Sequence, residues 1–332
     1  MSLDLVRRQA LEMLGYTPRQ AHFLVLVALH GGYFLRRQYV AFTGRAHGQA
    51  AVRFLSHCVA REHVTVFPYG RQGHVYHLCA RPLYAALGEE DNRNRRPAEW
   101  EAILRKLMTV DFVLANPTAR FWATEEEKVA LLRERQISAS VWPQRQYQPR
   151  RAGRATTVRY FVDKMPWYQE ADESRLWIAY VDAERTLGGF ETFLDQYRTV
   201  LASLPSGVTY VAATVWQSVI EAAFARGLAP RDAGVMDRFS AYCQFRRAVE
   251  DAGRTAPLTP DQHVRFHEQC AEFTTPAFEA LYQHWLKTSS VASWEVDAAA
   301  RPPCVLRMHA LGRRYDPGHT PSDSSGCQVR VT

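Results

Sequence analysis

Residues 46–78 read AHGQAAVRFLSHCVAREHVTVFPYGRQGHVYHL. In the first half of this stretch, apolar residues recur at intervals of three and four, the spacing of one helix face. They are Ala51, Phe54, Leu55 and Cys58. Two β-prone runs, Val64–Phe67 and His74–Leu78, then flank a polar loop that contains glycine, which is typical of a hairpin. The stretch therefore predicts a helix from Ala46 to Glu62 that leads directly into a two-stranded hairpin.

Three further helices are predicted before this stretch. The first covers Leu3–Leu14. The second begins at Thr17-Pro18, a cap residue followed by proline at the first helical position, and ends before Gly31-Gly32. A short third helix covers Leu35–Phe42. Successive helices followed by a hairpin are the order of a winged helix-turn-helix, which we expect over residues 1–88.

The excess positive charge of the chain lies in this same region. Residues 1–81 contain ten arginines, no lysine and three acids, whereas the rest of the chain carries 31 basic and 31 acidic residues. A bias confined to one region indicates a polyanionic partner there, because guanidinium groups match phosphate and guanine geometry. Seven of the twelve histidines lie there too, and we expect them to increase the positive charge at mildly acidic pH.

The predicted helix over 46–62 is the candidate recognition helix for double-stranded DNA. If its apolar stripe faces the core, the opposite face carries the residues that reach base edges in the major groove. These are Arg45, Gln49, Arg53 and Ser56. The preceding helix opens with two arginines suited to phosphate, Arg36 and Arg37. The hairpin loop offers flanking contacts to the minor groove or phosphates through Tyr69, Arg71 and Gln72.

The remaining chain predicts an α+β protein with a second, mixed-sheet unit. Residues 89–155 are expected to be a helical and basic linker, and residues 156–297 an α/β unit with extra C-terminal helices. Its strands are predicted at Thr157–Val162, Leu176–Val181 and Val208–Thr214. From residue 298 to 332, proline, glycine, serine and isolated charges predict a flexible tail.

Acidic residues end the first two of these strands. Asp163 follows one strand, and Asp182 and Glu184 follow the next. This is the layout of restriction-endonuclease-type folds, in which carboxylates hold a divalent metal that activates water. Those enzymes also need a lysine two residues after the second acid, where this chain has Glu184. We therefore expect an inactive unit with no catalytic residues, metal or cofactor; a metal-dependent nuclease that uses these three acids is the alternative.

These features together resemble the replication-relaxation family of mobile elements, including its mobilisation-protein-C members. The resemblance rests on the winged-helix order ending in Val75–Leu78 and on Trp177–Thr186, a strand with a terminal Asp182 before a helix with Tyr197. It implies a winged helix joined to a restriction-endonuclease-like unit, often without a full catalytic set. Two positions depart from the family pattern: Tyr180 replaces a glutamate, and Gln196 replaces a lysine.

The sequence thus predicts a sequence-specific DNA-binding protein that acts in replication, mobilisation or transcriptional control. A winged-helix adaptor that binds proteins is a further alternative. A second copy of the chain and replication or transfer proteins are candidate partners, and a membrane is not. Scattered cysteines without a C-x-x-C pair, and no signal-peptide layout, are typical of a cytoplasmic protein.

Overall fold

The computed structural model describes residues 3–44, 48–69, 73–147, 157–228, 233–252, 259–274, 276–289 and 304–315. It belongs to the α+β class, as predicted. The N-terminal elements are α1 (Leu3–Met13), α2 (Pro18–His30), β1 (Tyr33–Leu35), α3 (Arg36–Thr43), α4 (Gln49–Ala60), β2 (Val64–Pro68), β3 (His74–Leu78) and α5 (Arg81–Ala86). Their three strands form an antiparallel sheet in the order β1-β3-β2.

Helix α2 begins and ends where the sequence predicts. The Thr17 hydroxyl accepts a hydrogen bond from the Gln20 backbone amide, and the Gln20 side chain accepts one from the Thr17 amide. This reciprocal capping box satisfies two backbone donors at the helix start. At the other end the chain turns at Gly32, whose φ of +76° is a conformation that glycine adopts most readily.

A five-stranded mixed sheet forms the centre of the rest of the chain. Its strands are β4 (Arg120–Trp122), β7 (Trp167–Gln169), β8 (Leu176–Asp182), β9 (Ser206–Ala212) and β10 (Val305–Ala310), in the order β10-β9-β8-β7-β4. The pairs β8–β9 and β9–β10 are parallel, and β7 and β4 continue the sheet antiparallel. Every residue of β8 and β9 is buried, because helices cover both faces.

The remaining elements lie outside this sheet. They are α6 (Trp100–Ala115), α7 (Glu125–Glu134), β5 (Gln144–Tyr147), β6 (Thr157–Tyr160), α8 (Leu187–Ala202), α9 (Gln217–Leu228), α10 (Ala233–Ala252), α11 (Pro260–Phe273) and α12 (Pro276–Thr288). Helices α10–α12 agree with the predicted C-terminal helices and bury an aromatic cluster of their own around Phe239, Tyr242 and Phe273.

The segment 89–155, predicted as a helical and basic linker, is helical over α6 and α7, and α6 is packed against other elements on two sides. Helix α6 contacts α2, α3 and β1 on one side and β8 on the other, and its residues Leu107–Val110 are all buried. Strand β4 is an edge strand of the central sheet. The apolar positions of α6 were visible in the sequence, but the second surface that they cover was not.

Two further predictions need correction. The strand predicted over Thr157–Val162 is β6, which pairs with β5 in a separate two-stranded sheet and ends at Tyr160. Within the predicted tail, Val305–Ala310 form β10, and Tyr315 is buried. The isolated charges that suggested a tail include Arg307, whose guanidinium lies over the Trp177 ring and pairs with Glu170.

Replacement of Gly32 by alanine tests the turn after α2. A Cβ at Gly32 would collide with the Asn94 carbonyl oxygen, whereas one at Gly88, where φ is +72°, meets nothing within 4 Å. Gly88→Ala is expected to lower the free energy of unfolding by about 1–2 kcal/mol, the cost of left-handed backbone for a residue with a Cβ. Gly32→Ala should cost clearly more, measured by urea denaturation. Equal losses of unfolding free energy in the two variants would contradict the close approach of the Asn94 backbone to Gly32.

Candidate nucleic-acid interface

Helix α4 is held in the N-terminal core by the apolar stripe that the sequence predicts. Ala51, Phe54, Leu55 and Cys58 are all buried. The Phe54 ring stacks on Tyr39 with centroids 4.1 Å apart and lies edge-on to Phe23 at 5.9 Å. These contacts determine which face of the helix points outward.

The outward face of α4 carries the predicted base-reading residues that the structure describes. Gln49, Arg53 and Ser56 are exposed, at the spacing of successive helical turns. Within the described residues, Arg53 makes no ion pair, so its guanidinium is available to a ligand. Val52, which is not among the predicted site residues, is 48% exposed on the same helix. Val52 lies three residues after Gln49 and four residues before Ser56, and this helical spacing places it on the same face as both.

Arg36 lies at the start of α4. Its side chain is exposed, and its guanidinium crosses Gly48 so closely that a Cβ there would overlap it. No ion pair is formed by Arg36 among the described residues. The predicted phosphate contact is therefore free, and it lies beside the end of α4 at which backbone N–H groups point outward.

Arg37, predicted to bind phosphate, is instead engaged inside the protein. Its Nη1 atom donates to both carboxylate oxygens of Asp111, at 2.9 and 2.8 Å, and its Nη2 donates to the Tyr315 hydroxyl at 2.7 Å. That hydroxyl donates in turn to Asp111 Oδ2 at 2.7 Å. Gln38 adds a bond from Nε2 to Asp111 Oδ1 at 2.9 Å. The partners come from α6 and the C-terminal segment, far away in sequence, so local pattern could not reveal them.

Tyr69, predicted to enter a groove, is also withdrawn from solvent. It is 3% exposed, and its ring packs on Trp100 of α6 with centroids 5.1 Å apart. Burial raises the pKa of the Tyr69 hydroxyl. Tyr69 thus anchors one end of the hairpin loop on α6. The other predicted contacts, Arg45, Arg71 and Gln72, lie outside the described residues.

For four of the seven histidines in the first 81 residues, burial opposes the gain of positive charge that the sequence predicts at mildly acidic pH. Burial lowers the pKa of His22 and His63, and it lowers the pKa of His30 and His77 to about 4. His30 and His77 therefore stay neutral in the folded protein well below pH 6.5, and His22 and His63 take up a proton less readily than a solvent-exposed imidazole.

The three acids of the alternative nuclease site are each bound within the protein. Asp163 lies in a turn after β6, and its Oδ1 accepts a hydrogen bond from the Tyr197 hydroxyl at 2.8 Å. Asp182 Oδ1 accepts from the backbone amides of Glu184 and Arg185, at 3.1 and 2.6 Å. The Glu184 carboxylate pairs with Arg105.

These acids do not form a metal site in the part of the chain that the structure describes. No group of three histidine, cysteine, aspartate or glutamate residues there has the geometry to hold a metal ion. Lys164, the neighbour of Asp163, directs its Nζ to Asn92 Oδ1 at 2.8 Å. The likeness between this segment and a nuclease layout therefore does not extend to the arrangement of the side chains.

Comparison of the chain with protein-family models, with curated proteins and with solved structures finds no match. Among the described residues, no helix combines the length and the apolar character that crossing a membrane requires.

Removal of the Asp111 carboxylate tests the role of Arg37. Asp111→Ala leaves the guanidinium without its partner in a site where the Arg37 side chain is 31% and Asp111 9% exposed. We expect the free energy of unfolding to fall by about 3 kcal/mol. The exposed pair Arg81–Glu90 supplies the control, and Glu90→Ala should cost less than about 1 kcal/mol. Similar small losses in both variants would contradict this role for Arg37.

Stability at acidic pH tests the burial of His77. Its ring stacks on Tyr33 at 4.0 Å, and its Nε2 lies 3.0 Å from the Asn94 carbonyl oxygen. Since the pKa of His77 is about 4 in the folded state and about 6.5 when unfolded, only the unfolded state gains a proton between these values. The free energy of unfolding should therefore fall as the pH falls through this window.

The substitution His77→Phe keeps a ring on Tyr33 and removes the titrating group. We expect denaturation at a series of pH values to give a shallower acid dependence for this variant than for the wild type. Tyr76→Phe, on the same strand, removes no group that titrates in this pH range and should keep the wild-type slope. An unchanged slope in His77→Phe would refute the conclusion that burial lowers the pKa of His77.

Proposed function

We propose that this protein binds double-stranded DNA, with α4 as the helix that enters the major groove. One observation carries the proposal: the face of α4 that the core leaves exposed presents Gln49, Arg53 and Ser56. The first 81 residues also hold the whole excess of positive charge. An exposed polar helix face in a positively charged region is a favourable arrangement for a nucleic-acid interface.

The order of elements supports a winged helix-turn-helix. Helices α2, α3 and α4 precede the β2–β3 hairpin, and β1 completes a three-stranded sheet beside them. In such folds the last of the three helices reads the major groove and the hairpin lies along the backbone. Duplex DNA is favoured over RNA, because the major groove of an RNA helix is too narrow for an α-helix.

Each exposed side chain of α4 has a suitable partner on DNA. Arg53 matches the O6 and N7 acceptors of guanine, and Gln49 matches adenine. Val52 offers an apolar contact for a thymine methyl group, and Ser56 pairs with several base edges. The guanidinium of Arg36 binds a DNA phosphate beside the start of the helix. Arg45, Arg71 and Gln72 remain predicted contacts, whereas Arg37 and Tyr69 are no longer included.

The resemblance to the replication-relaxation family supports a role in replication, mobilisation or transcriptional control of a mobile element. We propose that the mixed-sheet unit acts there as a platform for a second copy of the chain or for replication and transfer proteins. Its arrangement of acids favours this role over metal-dependent cleavage of DNA.

Arg53→Ala tests the recognition helix. Fragments selected by the wild-type protein from a random duplex pool supply the ligand, and fluorescence anisotropy measures affinity. If Arg53 contacts a base, the variant should lose about 1–3 kcal/mol of binding free energy and discriminate less at one base pair. Arg133→Ala, at an exposed arginine of α7, is the control and should bind as the wild type does. Wild-type affinity in Arg53→Ala would reject the proposal that α4 is the recognition helix.

Arg36→Gln tests the phosphate contact. Because a phosphate contact releases counterions, its loss should reduce the slope of log affinity against log salt by about one. The ranking of DNA sequences should stay the same, since phosphate carries no sequence information. A changed ranking with an unchanged salt slope would show that Arg36 acts on a base instead.

A further inference from the structure

A cavity of about 570 Å³ lies between α1, α2 and the segment that joins α6 to β4. Its size is within the range of small-molecule sites, about 300–1,000 Å³. Much of its wall is apolar and includes Leu26, Phe42, Leu114, Phe121 and Trp122. A site of this kind suits a ligand with an apolar or aromatic body.

The polar side chains of this cavity are mainly cationic. Arg7, Arg8 and Arg120 line it, together with the acids Asp4 and Glu127. Glu127 is already paired with Arg7 at 2.6 Å, so its charge is compensated within the protein. Arg8 and Arg120 have no ion pair among the described residues, and a single acid, Asp4, remains to balance them. The cavity therefore favours an anion.

Two donors in this region are buried without an acceptor. Among the described residues, the Nε atoms of Arg7 and Arg8 are inaccessible to solvent and have no hydrogen-bond partner. A buried donor without an acceptor is costly, so these two side chains leave hydrogen-bonding capacity unsatisfied beside the cavity. His22 and His30 also line the cavity, and burial keeps both neutral at neutral pH by lowering the pKa of each. They contribute hydrogen-bonding capacity without further charge.

We infer that this cavity binds a small organic anion, a carboxylate or similar group carried on an apolar or aromatic body. The acidic group lies toward Arg8 and Arg120, and the body lies against Leu26, Phe42 and Leu114. Arg120 is positioned for this role, because its guanidinium lies 5.0 Å above the Trp122 ring at the cavity wall.

An occupant of the cavity would also contact the helix before α4. Phe42 lies in the last turn of α3, edge-on to His22 at 5.2 Å and tilted against Phe23 at 5.4 Å. Since α3 directly precedes α4 in the chain, a ligand that moves Phe42 acts on the helix next to α4. On this basis we expect the anion to act as an effector of DNA binding. This second step rests on the proposed function, whereas binding of the anion does not.

Isothermal titration calorimetry of the full chain with 2-naphthoate tests the site, with the uncharged 2-naphthamide as the matched ligand. Arg8→Gln should lower the affinity for 2-naphthoate about tenfold, because one charged hydrogen bond is lost. The affinity for 2-naphthamide should change little. Arg19→Gln, at an exposed arginine of α2 outside the cavity, should bind both as the wild type does. Leu26→Trp should weaken binding of both by narrowing the apolar part of the cavity.

Thermal unfolding of each variant shows that it is folded, and Arg8→Gln decides the question if Leu26→Trp fails to fold. Absence of 2-naphthoate binding to the wild type would overturn the proposal, as would equal affinity in the wild type and Arg8→Gln. DNA affinity is then measured with and without saturating 2-naphthoate. An unchanged DNA affinity refutes the effector role alone. If DNA does not bind in either case, the proposed function fails, and calorimetry still decides the site.

Discussion

The burial of Phe54 is the contact on which the account of this protein depends, because it determines the rotation of α4 about its own axis. The ring lies among Phe23, Phe34 and Tyr39 and is fully buried. Removal of such a ring from a core costs about 3–5 kcal/mol, far more than any exposed polar residue of the helix contributes. The outward direction of Gln49, Arg53 and Ser56 is therefore a consequence of core packing.

Helix α6 extends this constraint to the rest of the chain. One of its faces packs on the N-terminal helices, and another packs on β8 of the central sheet. The carboxylate of Asp111, on the same helix, accepts hydrogen bonds from Arg37 and Gln38 of α3 and from Tyr315 of the C-terminal segment. Hydrogen bonds thus connect α3, the helix that precedes α4, to the segment that follows β10. The C-terminal segment is therefore in contact with the helix next to the candidate interface.

Features that depend on local sequence were predicted well. The N-cap at Thr17, the apolar stripe of α4 and the β2–β3 hairpin each follow from residues a few positions apart. The α+β class and the mixed sheet follow from the alternation of such segments.

Features that depend on distant partners were not predicted. Arg37 and Arg53 look equally suited to DNA in the sequence, and only the positions of Asp111 and Tyr315 distinguish them. Tyr69 is buried because Trp100 lies opposite it. Strand β10 exists because the free edge of β9 accepts it, although its own sequence has the charges of a surface segment. In each case the decisive residue lies on another element.

Position-specific photo-crosslinking tests the central claim most directly. A photoreactive phenylalanine analogue replaces Ser56 on the exposed face of α4 in one protein, and Ala222 on the exposed side of α9 in another. If the core packing of α4 presents a DNA-binding surface, irradiation should join the protein to duplex DNA from position 56 and not from position 222. Crosslinks from position 222 alone, or from neither position while the DNA is bound, would contradict the account.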